Sequence, residues 1–171
     1  ERGGTGMILN TLGNFHEVRL DALLPLMRRR DTVMGLGDGG AHYAAICDAS
    51  YPTFVLTYWV RDRQGDRLTL AEAAHLLADR PARVMRLEDR GRLAAGYKAD
   101  VNVIDLDRLA LHVPEVRFDL PGGGRRLDQA ATGYVATIVG GTVIRRDDQP
   151  TGARPGKVVR GAQAVPVPAP A

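Results

Sequence analysis

Thr32-Val33-Met34-Gly35-Leu36-Gly37-Asp38-Gly39-Gly40-Ala41-His42 decides the reading of this chain. Thr32 to Leu36 is apolar and too short for a helix, and it runs into a loop where glycines surround a single carboxylate. The pattern predicts a buried strand that ends in a backbone-permissive turn. An Asp at the C-terminal end of such a strand is held where a ligand can approach the backbone, and in a barrel catalytic groups sit there. Asp38 is therefore the first candidate for chemistry, although the same residues also suit an ordinary turn.

Working outward, Leu20, Leu23, Leu24 and Met27 follow the i, i+3, i+4, i+7 spacing of a helix face. Pro25 interrupts them, and Asp21 is placed to cap a helix over about 22–30. A helix followed by a buried strand is half of an α/β repeat. Beyond the loop, Thr53 is expected to cap a helix to about Trp59. Thr69 and Glu72 form a Thr-x-x-Glu capping box, with Leu70, Ala73, Ala74 and Leu77 on one face. That helix is expected to stop before Pro81, which would open a second short helix over 82–87.

After Arg90 the pattern turns to strands. Val101–Ile104 is a strand, and Ala136–Val139 and Thr142–Ile144 flank Gly140-Gly141 as a hairpin. Residues 108–133 read as irregular, and the run AQAVPVPAPA from Ala162 as a disordered or polyproline tail.

Composition removes several classes. Of 171 residues, 44% are hydrophobic and 25% charged, which suits a folded domain rather than wholesale disorder. No apolar run approaches the ~20 residues that span a bilayer, so no membrane partner is expected. The single cysteine, Cys47, excludes a disulfide framework within the chain and an all-cysteine zinc site, and favours a cytoplasmic setting. The net charge of +3 comes from short Arg clusters neutralised by Asp31 and Asp147-Asp148, and aromatics are 5%, so no nucleic-acid partner is expected. The first residue is Glu1 and no export signal can be read from the start, which leaves open that a longer protein surrounds this segment.

The run from Leu68 through Thr69-Leu70-Ala71-Glu72, Arg80-Pro81-Ala82, Asp89-Arg90-Gly91-Arg92-Leu93 and Gly96-Tyr97-Lys98-Ala99-Asp100-Val101 to Asp105 resembles the C-terminal part of the amidohydrolase superfamily. Ala136–Ile144 resembles the hairpin that ends most such chains. Gly37–His42 and Asp48–Phe54 most resemble the D-aminoacylase group, the N-acyl-D-amino-acid deacylases. The resemblance covers about 30–160.

It implies an α/β fold: the C-terminal fragment of a (β/α)8 barrel over 1–90, the C-terminal strands of a small β-sandwich over 91–161, and a Pro/Ala tail over 162–171. It makes residues 32–37 the eighth barrel strand and Asp38 the family's strand-eight aspartate. There that residue lies beside a zinc ion, takes a proton from the attacking water and passes it to the leaving nitrogen. The implied activity is zinc-dependent hydrolysis of an amide C–N bond in a small acylated amino acid. Asp38 would be the catalytic and metal-side group, and His42, Gly39 and Gly40 would contact the substrate. The rest of a barrel chain is the implied partner, and a homo-oligomer is open.

Two departures qualify this. The superfamily's His-x-His pair is absent, since the four histidines are His16, His42, His75 and His112. The remaining ligands would then lie upstream, in a longer enzyme of which this is the last third. Relatives acting on acylated D-amino acids also carry an arginine after the strand-eight Asp, whereas the first one here is Arg61. Two other readings stand beside the deacylase: a cyclic-amide hydrolase of the same superfamily, and a non-catalytic β-rich assembly module.

Among the remaining side chains, Tyr51, Phe54, Tyr58 and Trp59 are placed to line an acyl pocket or to build core. Cys47 suits a small buried hydrophobe better than a zinc ligand. His16 can border the mouth beside Asp38, and His75 lies off the apolar helix face and is expected in solvent.

Overall fold

The structure is a computed structural model that describes residues 19–35, 37 and 42–166. Asp38, Gly39, Gly40 and His16 lie outside the described residues. The helices come first in the chain and the strands follow.

The first helix, α1 (Leu23–Arg28), sends Leu24 and Met27 into the core. Asp21 does not cap it: Ala22 holds that place with no side-chain bond, and the Asp21 carboxylate instead pairs with Arg63 and with Arg19. The expected buried strand does not form over 32–35. These residues have no regular structure, with Val33 and Gly35 exposed and Thr32 and Met34 half-buried. A strand exists only through ladder bonds to neighbours, and no described strand runs beside this segment. Its carbonyls are met by a side chain instead, as Arg80 Nη1 donates to Arg29 O at 2.8 Å and to Thr32 O at 2.9 Å.

The second helix begins earlier than expected. A 3-10 turn, Asp48–Ser50, leads into α2 (Tyr51–Phe54), which runs on as a π-wound segment, Val55–Asp62. Pro52 in the first turn brings a pre-set φ and no N–H to waste, which explains the early start. Thr53 is therefore inside the helix and buried, not its cap. Val55, Leu56, Trp59 and Val60 face the core.

The Thr69–Glu72 capping box forms as expected. Glu72 N donates to Thr69 Oγ1 at 3.1 Å, and Thr69 N donates to Glu72 Oε2 at 2.7 Å. The buried face differs from the expected one. Leu68 and Leu76 are buried with Ala73, whereas Leu70 is exposed. Leu68, just ahead of the cap, takes the core position, so the face continues through 73, 76 and 77. Nor does the helix stop before Pro81: α3 (Leu70–Ala74) passes through a π-wound turn, His75–Asp79, into α4 (Arg80–Val84). A proline ring clashes with the carbonyl four residues back, and a widened turn accommodates it.

The strands make one four-stranded antiparallel sheet in the order β1-β6-β7-β8, from β1 (Val101–Ile104), β6 (Tyr134–Val139), β7 (Thr142–Arg146) and β8 (Gln149–Pro150). The Gly140-Gly141 hairpin is where the sequence places it. Both glycines have positive φ, which a tight hairpin turn demands.

Residues 108–133 are not irregular. They form two ladders, β2 (Ala110–Leu111) with β5 (Ala131–Thr132) and β3 (Glu115–Leu120) with β4 (Gly124–Asp128). β3 alternates charged and apolar residues, Glu115-Val116-Arg117-Phe118-Asp119-Leu120, and cross-strand ion pairs such as Arg117–Asp128 at 2.9 Å tie it to β4.

Helices and sheet share one core. Leu109, fully buried, and the half-buried Ile104, Leu106 and Tyr134 pack with the helical residues. Arg61 Nη1 ties the layers by donating to Leu106 O at 2.6 Å and Leu109 O at 2.7 Å. The expected tail does not start free at 162: Gln163 bridges to Leu87, with its N–H on Arg86 O at 2.7 Å. No described helix is long and apolar enough to cross a membrane.

Candidate active site

Gly37 is the last described residue before Asp38. Its backbone is pressed onto the entrance of α2, where a Cβ would meet Asp48 O at 2.6 Å, the Tyr51 ring at 2.7 Å and Ala49 Cα at 2.8 Å. Only glycine permits that approach.

On the other side of the undescribed stretch, His42 is exposed with φ +55, and its carbonyl accepts from Ala45 N at 2.7 Å and Ile46 N at 3.0 Å. The left-handed backbone at His42 is thus held by a closed turn. Tyr43 O then accepts from Leu127 N at 2.6 Å, joining this turn to β4.

Between the 43–53 segment and the β4–β5 region lies a cleft of about 260 Å³. Ile46, Cys47, Ala49, Leu111, Leu127 and Ala131 give it carbon walls, and Ser50, Thr53, Arg126, Asp128 and Gln129 add polar groups. Ser50 Oγ donates to Gln129 Oε1 at 2.5 Å. Thr53 Oγ1 and the Tyr134 hydroxyl share a bond of 2.7 Å. Arg126 is gripped by Asp119, with Nε at 2.7 Å and Nη2 at 2.8 Å, and by Asp128, with Nη1 at 2.7 Å. The two carboxylates push the guanidinium pKa well above its ordinary value, and Arg126 holds the Asp119 carboxyl below the usual carboxylate range.

Burial, and then the neighbouring Asp48, push the Cys47 thiol up, so it stays protonated at neutral pH and serves as a wall atom. Phe54, Tyr58 and Trp59, candidates for an acyl pocket, lie instead in a helical stack: Phe54 on Tyr58 at 5.2 Å, and Tyr58 edge-on to Trp59 at 5.0 Å. His75 pairs with Asp79 at 3.0 Å on an exposed face, and His112 meets Thr132 Oγ1 at 3.2 Å. A larger cleft, about 490 Å³, lies around Asp79, Arg83, Glu88 and Arg92, away from the Gly37 turn, and Arg83 and Arg92 both pair with Asp79. Arg126, Asp128 and Gln129 were not marked as site residues by the sequence. Their only signal is the Gly122-Gly123-Gly124 turn that brings them back beside residue 43.

The family model described as "Amidohydrolase family" matches residues 3–145. The chain belongs to the amidohydrolase family. The resemblance read from its motifs is borne out at that level. The amidohydrolase chain is also 35% identical, over 98 residues, to the N-acyl-D-glutamate deacylase of Alcaligenes xylosoxydans xylosoxydans. That alignment takes in 57% of this chain and 18% of the relative, so the chain corresponds to a small part of the length of that relative. No solved structure matches it.

The zinc centre that the resemblance implies would draw on Asp38, which lies outside the described residues. Among the described residues, no three His, Cys, Asp or Glu side chains converge in a way that could hold a metal ion.

Proposed function

We propose that the chain is the C-terminal portion of a hydrolase that cleaves the amide C–N bond of an N-acylated amino acid, in the manner of an N-acyl-D-amino-acid deacylase. The family match over 3–145, with 35% identity to a deacylase, carries this reading. In the same reading residues 1–90 belong to a (β/α)8 barrel and 91–161 to a small β-sandwich, in a cytoplasmic enzyme.

Asp38 is the proton carrier. Its carboxylate takes a proton from the water that attacks the amide carbonyl, then delivers that proton to the nitrogen as the C–N bond breaks. The products are a carboxylic acid and a free amine. One group serves in turn as base and acid, which requires that it reach both oxygen and nitrogen within hydrogen-bond distance. Gly37, its neighbour in the chain, is locked on the 48–49 backbone. His42, Gly39 and Gly40 are the proposed substrate-side contacts. Zn²⁺ is the proposed cofactor, with its donors outside the described residues.

The test is release of free amine by the full-length metal-replete protein from N-acetyl-D-amino acids, their L-isomers and cyclic amides. Turnover of the D-series supports the reading. Turnover confined to the cyclic amides, or none with any of these compounds, overturns it.

A further inference from the structure

The cleft beside Gly37 is walled mainly by carbon, from Ile46, Ala49, Leu111, Leu127 and Ala131, and Arg126 is its one cationic lining residue among the described residues. That cation is already spent. Asp119 holds it through two parallel N–H bonds, and Asp128 takes a third. The second oxygen of Asp128 is itself occupied by Arg117 Nε at 2.9 Å. Asp119 and Asp128 thus satisfy Arg126 on both sides, and a further carboxylate arriving with a substrate would meet a guanidinium whose charge and N–H groups are already matched. The volume, about 260 Å³, is below the ~300–1,000 Å³ usual for a whole drug-sized ligand and suits one substituent of a few carbons.

Resting on the deacylase reading, we propose that this cleft is a subsite for an uncharged, apolar substituent of the substrate, and that the Arg126–Asp119 pair turns away an acidic one. The substituent is either the acyl chain or the amino-acid side chain, since both present the same chemistry. An acidic substrate is what the name of the N-acyl-D-glutamate deacylase relative gives for that protein. This chain shares the family and closes its cleft to that charge.

The experiment measures kcat/KM of the full-length metal-replete protein for N-acetyl-D-alanine, N-acetyl-D-leucine, N-acetyl-D-glutamate and N-hexanoyl-D-alanine. One added apolar contact is worth roughly 10-fold or more in such sites. The leucine substrate should therefore exceed the glutamate one by at least about tenfold. A gain with N-hexanoyl-D-alanine over N-acetyl-D-alanine assigns the cleft to the acyl chain. A gain with N-acetyl-D-leucine alone assigns it to the side chain.

Ala131→Phe, which fills the cleft, should cut the advantage of the favoured bulky substrate over N-acetyl-D-alanine by roughly tenfold. Asp119→Asn, which removes one carboxylate charge and one of the two acceptors from the guanidinium, should raise the glutamate-to-leucine ratio several-fold. Circular dichroism confirms that both variants fold, and Arg126→Gln, expected to lower the glutamate ratio further, stands in for either that does not.

Preference for glutamate, or ratios unmoved by these variants, overturns the subsite. If no amide is hydrolysed, calorimetric binding of N-hexanoyl-D-alanine still decides. Binding weakened by Ala131→Phe keeps the subsite and sinks only the deacylase reading, whereas no binding sinks both.

Discussion

Gly37 and Asp48 touch through their backbones, so closely that a Cβ on residue 37 would stand 2.6 Å from the Asp48 carbonyl oxygen. The contact links the residue before Asp38 to the 3-10 turn that leads into α2. Gly37→Ala has no flexible neighbour to push aside, because two of the three nearest atoms are backbone. Overpacking of this kind costs about 1–3 kcal/mol. The melting temperature should fall by several degrees, at ~2–4 °C per kcal/mol for a chain of this size. In the full-length protein kcat should drop as well, because Gly37 adjoins the proposed proton carrier, Asp38, in the chain. An alanine variant with wild-type melting and wild-type kcat would show that the contact positions nothing.

Thr53 and Tyr134 connect helix to sheet through hydroxyl groups 2.7 Å apart. Thr53 is buried, and Tyr134 packs against the core cluster. Tyr134→Phe leaves the Thr53 hydroxyl without that partner, at a cost of about 1–3 kcal/mol. The double variant Thr53→Val, Tyr134→Phe removes both polar groups and should be less destabilised than the sum of the single ones. Urea unfolding of the four proteins gives the coupling directly, and additive values would mean that the hydroxyls do not interact.

Glu72 illustrates an acid-sensitive cap. The Thr69 backbone N–H, then the Thr69 hydroxyl, hold its carboxyl below the usual range, with Arg28 adding to the effect. The folded pKa lies below the unfolded value of ~4.3. The contribution is therefore fully present above about pH 4.3 and is lost as pH falls through the lowered folded pKa. Thr69→Ala should cost about 1 kcal/mol at neutral pH. Glu72→Gln should melt below wild type at pH 7, and the gap should close toward pH 3. A gap that stays constant across that range would remove the carboxylate from the explanation.

The elements legible in the sequence are the local ones. Thr69-Leu70-Ala71-Glu72 caps its own helix within four residues, and Gly140-Gly141 closes a hairpin between its immediate neighbours. Thr32–Leu36 is a different case: its apolar character is visible, but pairing depends on strands that its own residues do not encode, and no described strand pairs with residues 32–35.

The β3–β4 hairpin was hidden for the opposite reason. Arg117, Asp119, Arg126 and Asp128 look like loop residues until the hairpin brings Arg117 diagonally beside Asp128 and Arg126 beside Asp119, off the direct Arg117–Arg126 and Glu115–Asp128 pairings. The cleft could not be read either, because it joins Ser50 to Gln129 across 79 positions. What the residue pattern does mark is Asp38 as a candidate, a lone carboxylate among glycines within the 3–145 span of the family match.

Asp38→Asn is the sharpest test of that chemistry. Asparagine keeps nearly the same size and can still hydrogen-bond, but it cannot take up a proton at neutral pH. If Asp38 relays a proton from water to the leaving nitrogen, the variant loses both halves of the relay in the full-length protein. Proton transfer by a positioned group contributes about 10²–10⁴-fold, so kcat should fall by at least that range. KM should change far less, since the loss lies in the transition state rather than in ground-state binding.

The pH profile separates the relay from a structural role. The acidic limb of the wild-type kcat/KM profile, which reports the base of the free enzyme, should vanish in Asp38→Asn and shift little in Gly37→Ala. The 171-residue chain alone, even with added Zn²⁺, should hydrolyse no amide, because its sequence carries no His-x-His pair and zinc catalysis normally needs three protein ligands. Turnover by the isolated chain, or an Asp38→Asn enzyme within a few-fold of wild type and with an unchanged acidic limb, would take the proton relay away from Asp38.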